Sequence, residues 1–513
     1  MGTGFHRSPA LDDCNDNCKP GSIGSVMNKR KLDLIQSRTE RAYDAISRGD
    51  CGEAVSVARE LLSEYGSSFA VRYNCAGFMI DAGERLDDEQ MVLEGTAILE
   101  SLYANESIRR KLGERLIYSL ANGRSAPAHM RSRRRPSPDF QVRDLSVEER
   151  AISLYYAATN RLRNGSLEAA INCASTLRLE GRYYAAIDIL DGVLHRDRDH
   201  PNANQKMAEI LWAAYMACRG RDFMPKALLV AALWHYEKAE PIFSARNEPM
   251  QVASNQSASA RLRELIGGVL HEDPDELLSE IGRCAVLGTG GRVGSPLGLS
   301  LLSRSPYVDG DDPHLIGRLP PEVRELFADV VGTYAAGRYF MSLDPLTIGM
   351  AEWRGSAPLV ADHMIYASVR QFWSVLDKLA WILNQHFEID LEDDQCHFAV
   401  VFRPPSKEVR AKRGLSVDKG QVVRHPNLER ENPGLLALSG LSFSIGSSGV
   451  YAPIKRLRHA VEHRVPDAPA THDDAAFMLA VVRAAILHTV DAIVWDLANR
   501  PGSHCDPTQK TMG

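Results

Sequence analysis

The sequence lacks the cysteine pattern of a disulfide-stabilised or zinc-binding protein. Its nine cysteines are odd in number and scattered through 513 residues. Only Cys14 and Cys18 lie close together, and no second pair is present that would complete a zinc site. Scattered thiols are typical of a reducing compartment, so we expect a cytoplasmic protein that uses no metal and no other cofactor.

The sequence also has little that would place it in a membrane or send it across one. The most apolar stretch, residues 479–495, is interrupted by Arg483, His488 and Asp491. The first residues contain several aspartates and no apolar segment of the kind that a signal peptide requires. We therefore predict neither a signal peptide nor a membrane partner.

Neither sign of charge dominates, since the formal net charge is -6 at pH 7. A nucleic-acid-binding surface would then be a local basic patch and not a coat over the whole protein. The length predicts about two to four domains, because a single core does not grow to this size.

A phosphate-binding glycine loop is also missing. Residues 288–296 are rich in glycine but end in Pro296. No alternating strands and helices are predicted around this segment. A dinucleotide loop requires a strand before it and a helix after it. We interpret this part of the chain as a connection between domains.

What the sequence does contain is helical periodicity from Lys29 onward. Three glycines, Gly49, Gly165 and Gly181, are each followed five residues later by an alanine and an aliphatic residue. A glycine turn that enters a helix with a small residue at the crossing point resembles the tetratricopeptide repeat. Gly165 and Gly181 lie too close together for a repeat of about 34 residues. We expect an all-α protein that begins with an irregular α-solenoid, with an ordinary helical bundle as the alternative.

The stretch that carries chemistry is residues 458–463, which read Arg-His-Ala-Val-Glu-His. It combines a permanent cation at Arg458, a polar residue at His459 and a titratable imidazole at His463. Pro466 biases the residue before it away from helical geometry, so we expect His463 near the C-terminal end of a helix. There the helix dipole favours imidazolium. An imidazole that exchanges protons near neutral pH, beside a phosphate-binding guanidinium, is the minimal equipment for cleaving RNA without a metal.

A second arginine and histidine with the same spacing occur at Arg483 and His488. Composition alone supplies such pairs in an arginine-rich chain. The position after Arg483 is Ala484 and not a polar residue, and apolar side chains at helical spacing surround His488. We therefore expect His488 to be packed in a core and the pair at 458–463 to be the functional one.

Residues 355–500 resemble the HEPN superfamily, named for higher-eukaryote and prokaryote nucleotide-binding proteins. The family motif is an arginine, a polar residue, a short spacer and a histidine, and residues 458–463 fit it in full. Residues 372–381 look like the first family helix, which in relatives carries a polar residue that faces the motif. Asp377 is the predicted residue, with Asn384 as second choice. The resemblance implies a four- or five-helix bundle and, in many members, a metal-independent ribonuclease.

The resemblance also implies roles for the motif residues. RNA would be cleaved by attack of a 2′-hydroxyl on phosphorus, which leaves 2′,3′-cyclic phosphate ends. His463 would act as acid or base, Arg458 would bind the non-bridging oxygens, and His459 and Glu462 would support them. An RNA path is predicted along further basic side chains, which are Arg456, Arg464, Arg410, Lys412 and Arg413. The alternative is that these residues form an ordinary solvated basic face.

A straight helix places Arg458 and His463 about 140° apart around its axis and about 7.5 Å apart along it. The two side chains then converge poorly within one helix. Relatives commonly dimerise so that two motifs share one site, so we predict a homodimer or higher homo-oligomer through the HEPN-like region.

Two functions from different classes follow. The first is an endoribonuclease that acts as a toxin or an anti-phage defence effector, with a repeat region that senses or binds a protein partner. The second is a non-catalytic scaffold in which both halves are binding surfaces. The predicted regions are a flexible arm (1–27), a helical-repeat region (28–250) with a loop near 124–143, a connection (251–354), the HEPN-like domain (355–500) and a tail (501–513).

Overall fold

The structure is a computed structural model, and every regular element that it describes is a helix. The described residues are 29–134, 151–155, 167–217, 226–270, 321–342, 357–389, 391–392, 396–402, 432–446, 451, 454, 457–458 and 470–499. No strand occurs among them, so this part of the chain is all-α, as the sequence predicts.

The helices within residues 29–134 follow one another with short connections. The helices of the described residues are α1 (Lys29–Arg48), α2 (Cys51–Tyr65), α3 (Phe69–Leu86), α4 (Glu89–Ala104), α5 (Glu106–Arg134), α6 (Leu167–Leu179), α7 (Tyr183–Arg196), α8 (Pro201–Ala217), α9 (Lys226–Ala245), α10 (Pro249–Leu270), α11 (Pro321–Ser342), α12 (Ala357–His386), α13 (Phe398–Val401), α14 (Pro433–Gly446) and α15 (His472–Asn499).

The described residues divide into two compact units, the first ending at Leu179 and the second beginning at Glu180. The predicted boundaries at 250 and 355 differ from this grouping, because α7 to α10 belong with the C-terminal helices. The physical reason lies in α7, which packs on α15. Periodicity along the chain reveals each helix but not this long-range partner.

In the first unit, a glycine turn and a cap set the start of α2. Gly49 has a φ of 85°, a left-handed conformation that glycine adopts without strain. Asp50 then caps α2, and its Oδ1 accepts a hydrogen bond of 3.0 Å from the Glu53 backbone amide. Ala54 is fully buried, which agrees with the small residue predicted at the helix crossing.

The loop predicted near 124–143 begins later than expected, because α5 is helical as far as Arg134. Pro127 lies inside the helix, where it removes one backbone hydrogen bond. Ala126 and Met130 on either side are buried in an apolar cluster of this unit. Their burial offsets the cost of the proline, which the composition of the segment could not indicate.

The second unit is built around α15, which packs on α12, α14 and α7. Buried side chains of α12, α14 and α15 form its main apolar cluster, with contributions from α11 and α13. Within the described residues, α12, α14 and α15 agree with the helices that the sequence predicts.

By length and composition, residues 472–497 of α15 could cross a membrane, but 71% of the apolar window is buried inside the protein. That burial is typical of a core helix.

Polar groups join α7 to the C-terminal helices of this unit. The Tyr184 hydroxyl donates a 3.1 Å hydrogen bond to Oδ2 of Asp491, and Arg483 pairs with Asp188. These links join residues of the predicted repeat region to residues of the predicted HEPN-like domain. They make α7 a structural part of the C-terminal bundle.

The close crossing of α14 and α15 generates a stability prediction. A Cβ on Gly434 would lie 2.4 Å from the backbone nitrogen of Ala492 and 2.6 Å from the carbonyl oxygen of His488. Gly434→Ala should therefore destabilise the second unit by about 1–3 kcal/mol, because backbone atoms cannot move aside cheaply. Chemical unfolding monitored by circular dichroism measures this effect.

Gly192 is the matched control, since a Cβ there meets nothing within 4 Å. Gly192→Ala lies inside α7 and should stabilise the protein by about 0.5–1 kcal/mol through helix propensity. Equal destabilisation by both substitutions would contradict the packing of α14 on α15.

Candidate functional site

Arg458 is anchored in the bundle by the residue before it. Leu457 packs against a small cluster that contains Val369 of α12 and Ala475 of α15. The Arg458 guanidinium then lies over the ring of Trp373, with Cζ 4.8 Å from the ring centroid. A guanidinium stacked on an indole face is held by cation–π attraction, so the motif arginine has a fixed place against α12.

Asp377 lies one helical turn after Trp373 and so projects from the same side of α12. Its side chain is 25% exposed. Burial raises the pKa of this carboxyl above its ordinary value, and the charges of Arg458 and His397 oppose that rise. Asp377 is thus a largely buried carboxyl that interacts with two cationic or potentially cationic groups.

His397 completes the cluster from the other side. Its Nδ1 lies 3.5 Å from Oδ1 of Asp377, which is ion-pair distance and longer than an ordinary hydrogen bond. The backbone amide of Phe398 also favours the ionised form of Asp377. His397 stands immediately before α13, and that short helix packs on α12 and so brings the imidazole to the carboxylate.

The structure brings two of the predicted site residues together, the motif residue Arg458 and the α12 residue Asp377. Asn384 has a different, local role. Its Nδ2 donates to the carbonyl of Leu391 at 3.2 Å, and its Oδ1 accepts from the Leu391 amide at 2.9 Å. The side chain therefore fixes the chain that leaves α12.

The other predicted site residues lie outside the described residues, and their roles stay predictions. They are His459, Glu462, His463, Arg456, Arg464, Arg410, Lys412 and Arg413.

Sequence reasoning missed Trp373 and His397 as members of this cluster. Trp373 reads as one more apolar residue of α12, and it is indeed only 8% exposed. His397 falls in the stretch predicted as a loop-rich insertion, residues 388–432. One signal was present: a polar residue directly before the apolar run Phe-Ala-Val-Val is typical of the start of a helix.

The second arginine–histidine pair is part of the core, as the sequence predicts for His488. This ring is 2% exposed, with its centroid 4.8 Å from that of the Tyr184 ring. Burial, together with a smaller effect of the nearby charge of Arg182, lowers the pKa of His488 to about 3. An imidazole that stays neutral and enclosed cannot exchange protons with a substrate.

Comparisons with known proteins give no match to a family model, to a curated protein or to a solved structure. In the part of the chain that the structure describes, no group of three or more His, Cys, Asp or Glu side chains is placed to hold a metal ion.

The burial of His488 predicts how stability depends on pH. In the unfolded chain this imidazole takes up a proton below pH 6.5, whereas in the folded protein it does so only near pH 3. The unfolded state therefore binds more protons between these values, and stability is lost as the pH falls from 6.5 toward 3. In His488→Leu, the fall in the free energy of unfolding between pH 7 and pH 4 should be smaller by the contribution of one group.

Urea unfolding at several pH values measures this difference. The control is His363→Leu, because His363 lies exposed on α12. An unchanged slope in His488→Leu would contradict the burial of a neutral imidazole at this position.

Proposed function

We propose that this chain is a metal-independent endoribonuclease of the HEPN type. The single observation that supports it best is the placement of the motif residue Arg458 against α12, over Trp373 and next to Asp377. A partly buried cation at this position is suited to phosphate, because a low-dielectric wall strengthens its attraction for an anion.

The geometry of Arg458 suits an oxyanion. A guanidinium binds phosphate oxygens through the N–H groups in its plane, whereas stacking on an indole uses its face. During cleavage, negative charge grows on the non-bridging oxygens of phosphorus. In this proposal Arg458 stabilises that charge, the 2′-hydroxyl attacks phosphorus, and the bond to the 5′-oxygen breaks.

Acid–base work is assigned to His463, with His459 in the polar position of the motif and Glu462 as a supporting group. Arg456, Arg464 and the basic residues 410–413 would guide the RNA backbone. The reaction needs a proton taken from the 2′-hydroxyl and a proton given to the 5′-oxygen, and neither step requires a metal.

The first unit is proposed as an irregular α-solenoid of tetratricopeptide-like helices that binds a protein partner or senses a trigger. Packing of α3 on its neighbours α2 and α4 and also on α1 and α5 supports this arrangement. In such arrays each helix contacts the next and the next but one. The biological setting proposed is a cytoplasmic toxin or an effector of defence against phage.

The decisive test is RNA cleavage by the purified full chain in excess EDTA. Wild type should cleave tRNA, rRNA or mRNA, and His463→Ala should reduce the rate about 10²–10⁴-fold because a proton-transfer group is lost. Arg458→Ala should reduce it about 10²–10³-fold through lost charge stabilisation. Gel assays with end-labelled RNA give these rates.

Arg338→Ala is the matched control. Arg338 also stacks on a ring, with Cζ 5.8 Å from the centroid of Tyr334, but it lies on α11 and is not part of the motif. Its loss should leave cleavage unchanged. Cleavage that needs a metal, or that survives both motif substitutions, would overturn the proposal. No cleavage of any of these RNAs by wild type would favour the scaffold.

A homodimer is proposed because an ideal straight helix would turn Arg458 and His463 away from each other. Mixing Arg458→Ala chains with His463→Ala chains tests a shared site, since a heterodimer then holds one intact arginine and one intact histidine in the same site. Recovered cleavage in the mixture, from two inactive parents, is the expected result. A monomer by light scattering with full wild-type activity would contradict it.

A further inference from the structure

We propose that His397 is the general base for the 2′-hydroxyl in this same site, oriented by Asp377. The inference rests on the proposed function, and it adds a catalytic residue outside the motif at 458–463. It stands on the geometry of three elements, namely α12, the start of α13 and the motif arginine.

The first observation is the way the imidazole is buried. Nδ1 of His397 is buried and faces Oδ1 of Asp377 at 3.5 Å, while the side chain as a whole is 43% exposed. The exposed surface therefore lies on atoms other than Nδ1. An imidazole with one nitrogen against a carboxylate and nearly half of its side chain exposed can exchange a proton with a bound molecule.

The carboxylate of Asp377 favours one tautomer of the His397 imidazole, the one that can act as a base. A proton on Nδ1 is favoured by Asp377, so Nε2 of the neutral ring keeps its lone pair and can accept a proton. Asp377 is itself held by the backbone amide of Phe398 and by the charge of Arg458. The distance of 3.5 Å is long, but hydrogen bonds between catalytic groups often shorten only when substrate binds.

A purely structural role does not account for His397. It occupies the N-cap position of α13, where a polar side chain normally accepts a hydrogen bond from the helix. The His397 side chain makes no such bond. Its contact is with Asp377 on another helix, and an exposed ring gains little stability from that contact.

The arrangement supplies a base close to the phosphate-binding group. Asp377 interacts electrostatically with both Arg458 and His397, so the phosphate-binding group and the base share one carboxylate. In the step proposed, Nε2 of His397 takes the 2′-hydroxyl proton and the 2′-oxygen forms a bond to phosphorus. The bond from phosphorus to the 5′-oxygen breaks, and that oxygen receives a proton from His463. The products are a 2′,3′-cyclic phosphate and a 5′-hydroxyl, with protons balanced.

The first arm of the test measures cleavage in EDTA. His397→Ala should lower kcat about 10²–10⁴-fold, and free imidazole in the buffer should restore part of the rate because it replaces the missing base. His363→Ala, an exposed histidine of α12, is the control and should cleave like wild type. Full activity in His397→Ala while His463→Ala is inactive would overturn the inference and leave the proposed function standing.

Asp377 is a positioning residue, and its test separates orientation from folding. Asp377→Asn should lower kcat with little change in KM, and Asp377→Glu should recover part of the loss because it restores a carboxylate. Loss in both variants with an unfolded circular dichroism spectrum would indicate a structural residue only, and would overturn its role here.

The second arm does not depend on cleavage. Diethyl pyrocarbonate modifies accessible histidines, and mass spectrometry measures the extent at each one. A 2′-O-methyl RNA of mixed sequence, which cannot be cleaved by this route, should protect His397 at least several-fold and leave His363 unprotected. Protection should disappear in Arg458→Ala.

An unprotected His397 would overturn the inference even if wild type cleaves no RNA in the first arm. Protection at His397 together with no cleavage by wild type would instead count against the proposed reaction while supporting RNA contact at this site. The outcomes therefore separate a wrong assignment of His397 from a wrong assignment of the reaction.

Discussion

The second unit depends on the burial of α15 on more than one side. A helix with apolar residues around most of its surface must find several partners, and α15 finds α12, α14 and α7. Its contact with α14 is so close that the backbone of α15 leaves no room for a side chain at Gly434. Its contact with α7 adds to this unit residues that the sequence predicts to lie in another domain.

The contact between α7 and α15 lies close to charged side chains that are buried and therefore need partners inside the protein. The buried pair of Glu180 and Arg182 is 3.0 Å apart, with both side chains 1% exposed, and the Arg182 guanidinium also stacks over Tyr451. Breaking such a pair leaves an uncompensated charge in the core, which is far more costly than the pair is stabilising. These groups bind the start of the second unit to the bundle. Burial keeps His488 neutral, and the charge of Arg182 adds to that effect.

Helical periodicity predicts where the helices lie in the sequence, but it does not predict which helices pack on one another. The glycine at 49, the buried alanine after it, the helix at 433–446 and the final helix are all readable from local pattern, because capping and apolar spacing are local. The inclusion of α7 in the C-terminal bundle and the continuation of α5 past Pro127 are decided by tertiary burial, which no local pattern records. Likewise, Asp377 could be predicted beside Arg458 from the resemblance. His397 could not, since its approach depends on the packing of α13 on α12.

We propose that an RNA 2′-hydroxyl, and not water, attacks phosphorus at the site that contains Arg458. Cleavage in ¹⁸O-labelled water with EDTA, followed by mass spectrometry of the product ends, identifies the nucleophile. Attack by the 2′-hydroxyl gives 2′,3′-cyclic phosphate ends without ¹⁸O and free 5′-hydroxyl ends. Products with 5′-phosphate that carry ¹⁸O would show that water is the nucleophile and would overturn this proposal.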